Sequence, residues 1–338
     1  MNEPLKRFDL GDVALQSGSV LRDAHLTYKT YGTLNDAADN AVVVPTFYTG
    51  TSTRNEGYFG PGRAIDPARH FIISIDMFGD GLSTSPSNHA APQDGPRCPS
   101  TTLADNVACQ HRLVTQELGV KHLALVTGWS MGACQTFEWA AQFPDMMDAI
   151  LPFCGSARCS PHNFVFLEGV KAALCADATW NGGDYTAPPE RGLRAFARVY
   201  AGWGFSQTFY REGLYRELGY DTIEDLLVDW EEEHVNDWDA NDLLHMLWSW
   251  QNADISANGT YHGDLAAALG AIRARAIVMP CDQDLYFPPE DSVIEVSHMA
   301  RAELRPFESP FGHCAGSPGA LPAFDRFFDA AVADLLNG

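Results

Sequence analysis

The chemistry of this chain is concentrated in Gly128-Trp129-Ser130-Met131-Gly132, a G-x-S-x-G pentapeptide that follows the apolar run Leu123-Ala124-Leu125-Val126 and precedes a helical stretch opening at Met131. A serine on such a strand-to-helix turn is held in a strained backbone conformation, and glycines two residues to either side keep side chains out of the neighbouring strand and helix. Its hydroxyl is a poor nucleophile at neutral pH, so a base must take its proton and a carboxylate must hold that base in one tautomer. Both are expected C-terminal to the serine, the acid first and the histidine last. Of the eleven histidines, His313 alone lies in a glycine-flanked loop late in the chain, Phe311-Gly312-His313-Cys314-Ala315-Gly316. Two carboxylates compete for the acid's role, Asp282 and Asp284, within Cys281-Asp282-Gln283-Asp284-Leu285-Tyr286-Phe287-Pro288-Pro289. Spacing does not separate them. Acyl transfer also needs donors for a developing oxyanion. The backbone N–H of Met131 is one candidate, and the loop Pro45-Thr46-Phe47-Tyr48-Thr49-Gly50 is the natural source of the other.

Side chains so far apart in sequence meet only if a sheet brings their loops to one edge. The first 160 residues read as short apolar runs separated by turn residues, among them Ala41-Val42-Val43-Val44, Phe71-Ile72-Ile73-Ser74-Ile75 and Leu123 to Val126. Continuous β-branched runs are expected of strands buried on both faces, as in a parallel sheet. Leu103 to Leu118 has helical spacing and leads through Gly119 into the third run, a helix-then-strand unit. From about Pro161 to Tyr261 the apolar β runs vanish and helical patterns take over, as in Ile223 to Trp230 and Leu243 to Trp250. Six of the eight tryptophans lie in this part, so helix packing rather than a sheet must bury them. Sheet texture returns with Ala276-Ile277-Val278-Met279 and Ala302-Glu303-Leu304-Arg305, and an amphipathic helix closes the chain from about Leu321 to Leu336. The expected architecture is α/β, with a core of residues 1–160 and 262–338 and a helical cap inserted at 161–261.

Composition narrows the partners. Of 338 residues 46% are apolar, enough for a sizeable core, and 22 basic against 44 acidic side chains give a net charge of −22. Such a surface repels polyanions, which disfavours nucleic acid and acidic membranes as partners. No apolar stretch approaches membrane-spanning length, and Met1 to Asp9 lacks the apolar centre of a secretory signal, so a cytoplasmic location is expected. The eight cysteines (Cys98, Cys109, Cys134, Cys154, Cys159, Cys175, Cys281 and Cys314) form no C-x-x-C pair and read as reduced core residues. Asp237-Trp238-Asp239-Ala240-Asn241 starts like a calcium loop, but Asp242 stands where glycine is needed and Trp248 where glutamate is, so a solvated acidic turn is expected. Gly79-Asp80-Gly81 lacks the third glycine of a dinucleotide loop. Neither a metal nor an organic cofactor is implied.

Together these residues resemble the homoserine O-acetyltransferase family of α/β-hydrolases over nearly the whole length. The resemblance rests on Gly60-Pro61-Gly62-Arg63-Ala64-Ile65-Asp66, on Ser130-Met131-Gly132 running into Phe137-Glu138-Trp139-Ala140, and on Asp284-Leu285-Tyr286-Phe287-Pro288-Pro289. In that family the acid stands three positions before Phe-Pro-Pro, which points to Asp284. The family's H-A-L-T-G loop is similar to Thr46-Phe47-Tyr48-Thr49-Gly50, which implies Tyr48 N–H as the second oxyanion donor. A cap of the family's kind also implies a homodimer.

The departures shape the expected substrate. Transferases that take homoserine carry Asp after the histidine, where it neutralises the acceptor's amino group; here that residue is Cys314. A buried ammonium without a carboxylate partner is costly. Where the family's cap has a Tyr-Arg pair, the comparable segment Arg198 to Ser206 has Gly204-Phe205. Trp129, Phe47 and Tyr48 suggest a crowded apolar acyl pocket bordered by Cys314. The resemblance therefore implies the family's ester-hydrolase branch, a serine carboxylesterase for short-chain acyl esters of small uncharged alcohols, with acetyl-CoA-dependent O-acetyl transfer as the alternative.

Overall fold

The computed structural model describes residues 3–337. Its strands are β1 (Lys6–Ala14), β2 (Val20–Tyr31), β3 (Ala41–Pro45), β4 (Phe71–Ile75), β5 (Leu123–Trp129), β6 (Ala149–Phe153), β7 (Arg275–Val278) and β8 (Ala302–Leu304). They form one sheet in the order β1-β2-β4-β3-β5-β6-β7-β8. From β4 to β8 every pairing is parallel. Every residue of β3 and β6 is buried, as their continuous apolar composition requires. Alternation within β3 feeds two cores: Val43 joins the layer under Val107, Leu113 and Phe137, while Val42 and Val44 join the layer under Phe324, Phe328 and Val332. The antiparallel β1–β2 hairpin has no counterpart in the apolar runs of the sequence. Only Leu10 and Val13 of β1 are buried, and register shifts around Gly11 (φ 66°) break its alternation, so no two-residue period stands out.

Ten α-helices complete the described residues: α1 (Leu103–Arg112), α2 (Met131–Gln142), α3 (Pro161–Cys175), α4 (Glu190–Gly204), α5 (Gln207–Glu212), α6 (Ile223–Asp237), α7 (Ala240–Gln251), α8 (Leu265–Gly270), α9 (Pro289–His298) and α10 (Pro322–Asn337). The helix expected to reach Leu118 is α-helical only to Arg112 and widens into a π turn over Leu113–Glu117. Helices α3 to α7 fill the insertion between β6 and β7, and α6 starts where the sequence supplies a capping box, Thr222 with Asp225. The acidic segment read as a solvated turn is only partly that. Asp237 is exposed, but Asp239 caps α7 by accepting from the Asn241 and Asp242 amides, and Asp242 is buried against Ser87. No helix among the described residues is long and apolar enough to cross a membrane.

The inserted helices rest on the loops that leave the sheet. Phe166, Leu167, Phe196, Leu243 and Trp250 form one apolar cluster with Tyr48, Met131, Tyr286 and Phe287. Beneath them the sheet changes direction: β3 leads to β4 on one side, while its other neighbour β5 leads to β6 on the opposite side. Strand connections that part in this way open a crevice at the carboxyl ends of the strands, the usual ligand position in such sheets.

Candidate active site

Ser130 stands at that crevice, between β5 and α2, with φ 58° and ψ −124°. A non-glycine residue in this region costs on the order of 1–3 kcal/mol and persists only where its surroundings over-determine it. Those surroundings are tight. A Cβ on Gly128 would lie 2.5 Å from the Gly132 backbone, one on Gly132 2.8 Å from Pro45 O, and one on Gly155 2.6 Å from Ser130 O. The Ser130 amide also donates to Phe153 O at 3.1 Å, tying the turn to β6.

Of the two competing carboxylates, the one that meets the histidine is Asp284: His313 Nδ1 lies 2.7 Å from Asp284 Oδ2. The other Asp284 oxygen accepts from the Tyr286 and Phe287 amides at 3.1 and 3.0 Å. A carboxylate so held acts as acceptor, so His313 carries its proton on Nδ1 and leaves Nε2 as the basic nitrogen. Asp282 instead accepts from the Ser309 amide at 2.8 Å, which orders the turn before the histidine loop. The His313 ring stacks on Trp129 (centroids 4.8 Å, 24°) and lies 4.3 Å from the Tyr286 ring, so aromatic faces fix its plane. The loop itself is tied down by Tyr58 Oη donating to Gly316 O and by Ser206 Oγ donating to Pro310 O.

Ser130 and His313 line one cavity of about 290 Å³, together with Phe47, Tyr48, Trp129 and Cys314. That is the small end of the range for ligand sites. Phe47 packs on Trp129 (centroids 4.7 Å, 61°), which narrows the space beside the serine. No Ser130–His313 hydrogen bond is formed; contacts of this kind are commonly long without substrate and tighten in the Michaelis complex. The Tyr48 and Met131 amides donate to no acceptor among the described residues, and Met131 occupies the first turn of α2, where helix amides are free by construction. Tyr48 is anchored by its side chain, which stacks on Tyr200 at 5.8 Å and donates to Leu243 O at 3.1 Å. Burial pushes the Tyr48 and Tyr286 phenols and the Cys314 thiol well above their ordinary pKa values, so all three stay protonated.

A profile of the α/β hydrolase fold family matches residues 52–315. The chain is 39% identical over 330 residues to the probable esterase Cgl0839 of Corynebacterium glutamicum, spanning 96% of this chain and 94% of that one. It is 35% identical over 337 residues to the ethyl acetate hydrolase of Pseudomonas veronii (99% and 96%). Among homoserine O-acetyltransferases, that of Trichormus variabilis is 31% identical over 322 residues (89% and 86%). The solved structure of the acetyl esterase MekB superposes with a TM-score of 0.96 at 36% identity, covering 99% and 97% of the two chains. The chain belongs to the homoserine O-acetyltransferase-like family of α/β hydrolases.

The end of α4 packs closely on α6 and on the histidine loop. Gly204 ends α4, and a Cβ there would lie 2.9 Å from the Trp230 ring and 3.3 Å from Cys314 Sγ. Phe205 enters the cavity. The cavity also has walls that the sequence did not reveal: Arg54 from the core and Asp229, Trp230, Glu233 and His234 from α6. Nothing local in α6 marks these as site residues, because the seating of the cap on the core is set by tertiary packing. Trp230, one of the six tryptophans assigned to helix packing in the sequence, also borders the cavity. Tyr286 was within reach, since it lies two residues beyond Asp284 in the stretch that carries the family resemblance.

Proposed function

We propose that the chain is a serine carboxylesterase that hydrolyses acetate-type esters of small uncharged alcohols through an acyl-enzyme. The observation that carries this reading is the His313–Asp284 hydrogen bond on the wall of the cavity that also holds Ser130. Ser130 Oγ attacks the ester carbonyl while His313 Nε2 takes its proton, and Asp284 stabilises the imidazolium. The Met131 and Tyr48 amides receive the oxyanion. The Phe47 and Thr49 amides are equally free of acceptors, so family resemblance supports Tyr48 specifically. His313 then returns the proton to the leaving alcohol and activates water, which attacks the acyl-enzyme and releases acetate. Trp129 and Phe47 restrict the acyl group, and Cys314 offers no charge to an ammonium.

The two esterase relatives, at 35% and 39% identity over almost the full length, support hydrolysis over transfer. We assign 161–261 as the cap over a core of 1–160 and 262–338, a homodimer formed through that cap, and a cytoplasmic location. The decisive assay measures hydrolysis of a chromogenic acetate ester beside acetyl-CoA consumption with and without a panel of alcohols. Ester hydrolysis with negligible alcohol-dependent acetyl-CoA turnover is expected, and the reverse would establish an O-acetyltransferase.

A further inference from the structure

The cavity has two unlike halves. One is aromatic, with Trp129 and Tyr286 against His313 and Phe47 on Trp129; the other is walled by Arg54 and α6. Polar groups of this second half are engaged with one another and with the core. Asp229 accepts from Tyr220 Oη at 2.6 Å, and Arg54 donates to Thr49 O at 2.9 Å and to Glu233 at 3.4 Å.

His234 adds a neutral acceptor to this wall. Its Nδ1 lies 2.8 Å from Trp230 O, and a carbonyl can only accept, so Nδ1 bears the proton. Burial holds the imidazole below its ordinary pKa against the opposing charges of Glu233 and Asp237, and Arg54 adds to the lowering. The ring is therefore neutral at pH 7, and Nε2 is a bare acceptor with no partner among the described residues. Phe196, Tyr200 and Trp230 pack around the ring (centroids 5.6, 6.5 and 6.4 Å) and fix the direction of that lone pair. A plain alkyl group seated here leaves the acceptor without a donor, and such a desolvated polar atom weakens binding. A hydroxyl donates to it.

Resting on the esterase reading above, we propose that the alcohol half of the substrate carries a free hydroxyl that donates to His234 Nε2. The preferred substrates are then acetate esters of small diols or polyols. His234 is a specificity-determining residue outside the Ser130–His313–Asp284 set.

The test compares kcat/KM for 2-hydroxyethyl acetate, propyl acetate (methyl in place of the hydroxyl) and 2-methoxyethyl acetate, which withdraws electrons similarly but has no proton to donate. The native enzyme is expected to favour the hydroxy ester about tenfold over both others, the scale of one hydrogen bond that the competitors cannot make. H234F, which keeps the aromatic packing, and H234L should each bring the ratio close to one, and H234Q, which restores an acceptor, should recover most of it. A native ratio near one, or a ratio that survives in any folded acceptor-free variant, overturns the proposal. Propyl acetate turnover by the native enzyme reports on the esterase reading separately: its presence keeps that reading even when the hydroxyl preference is absent, and loss of turnover on all three esters overturns both.

Discussion

The φ of 58° at Ser130 sets stability against chemistry at a single residue. Ser130→Gly relieves the backbone strain and should raise stability by about 1 kcal/mol while abolishing ester hydrolysis, a pairing that thermal unfolding and a rate assay on one preparation would reveal. Ser130→Ala keeps the strain and should lower kcat by several orders of magnitude, leaving only what the oxyanion donors and binding supply. The two nearby carboxylates make a sharper pair. Asp284→Asn lets the amide hold the wrong imidazole tautomer and should cost about 10⁴ in kcat. Asp282→Asn retains an acceptor for the Ser309 amide and should stay within about tenfold of the native rate. Comparable losses in both would mean that the 2.7 Å contact to His313 does not orient the base. Spacing in the sequence left these aspartates tied; only the fold, or the family resemblance, separates them, because residues two apart on a turn point in different directions.

Elements, not residues, align the proposed oxyanion donors. Helix α2 and the loop after β3 approach so closely that a Cβ on Gly132 would lie 2.8 Å from Pro45 O. Gly132→Ala must therefore move α2 away from β3 and separate the Met131 and Tyr48 amides. The expected result is a kcat lower by about ten- to a hundredfold, KM little changed, and a loss of about 1–3 kcal/mol in stability. An unchanged kcat in the folded variant would show that this contact does not set the donor geometry. The G-x-S-x-G spacing made this element pair legible, since glycine is demanded there by backbone approach. The β1–β2 hairpin was not legible, because half-exposed strands with a bulge at Gly11 carry no apolar run. The cap was legible as helices but not as a wall: Trp230, Glu233 and His234 reach the cavity only because α4 holds α6 at one rotation. Phe196 and Tyr200 of α4 pack on His234 and Trp230, and Arg194 and Arg198 pair with the buried Glu231. The Arg54–Glu233 pair that bridges core and cap is some 40% exposed on both sides and contributes on the order of 1 kcal/mol at most.

At the scale of the whole molecule the acidic excess continues into the interior. Burial raises Asp76 to about 6, Asp242 to about 7, and Glu138 and Glu295 to about 8. Each of these acids binds its proton more tightly folded than unfolded, so its stabilisation is fully present below the unfolded pKa near 4 and is lost as pH rises through the folded value. His245 runs the other way. Its folded pKa is lowered to about 4, so its contribution is present above the unfolded value of about 6.5 and is lost as pH falls toward 4. Between about pH 7.5 and 8.5 His245 and the other histidines held low by burial are neutral in both states while the raised acids still lose protons, so Tm should fall across this window. Glu138→Gln and Glu295→Gln should each flatten the fall by on the order of 1 kcal/mol, about 1–2 °C for a chain of this length, because a glutamine has no proton to lose. The Glu295 change retains an acceptor for the Ala157 amide, so a flattened slope in that variant reports the lost titration rather than a broken contact. A Tm that holds steady or rises from pH 7.5 to 8.5 in the native chain would mean that these carboxyls are ionised in the fold, and that charges near them, rather than burial, set their state.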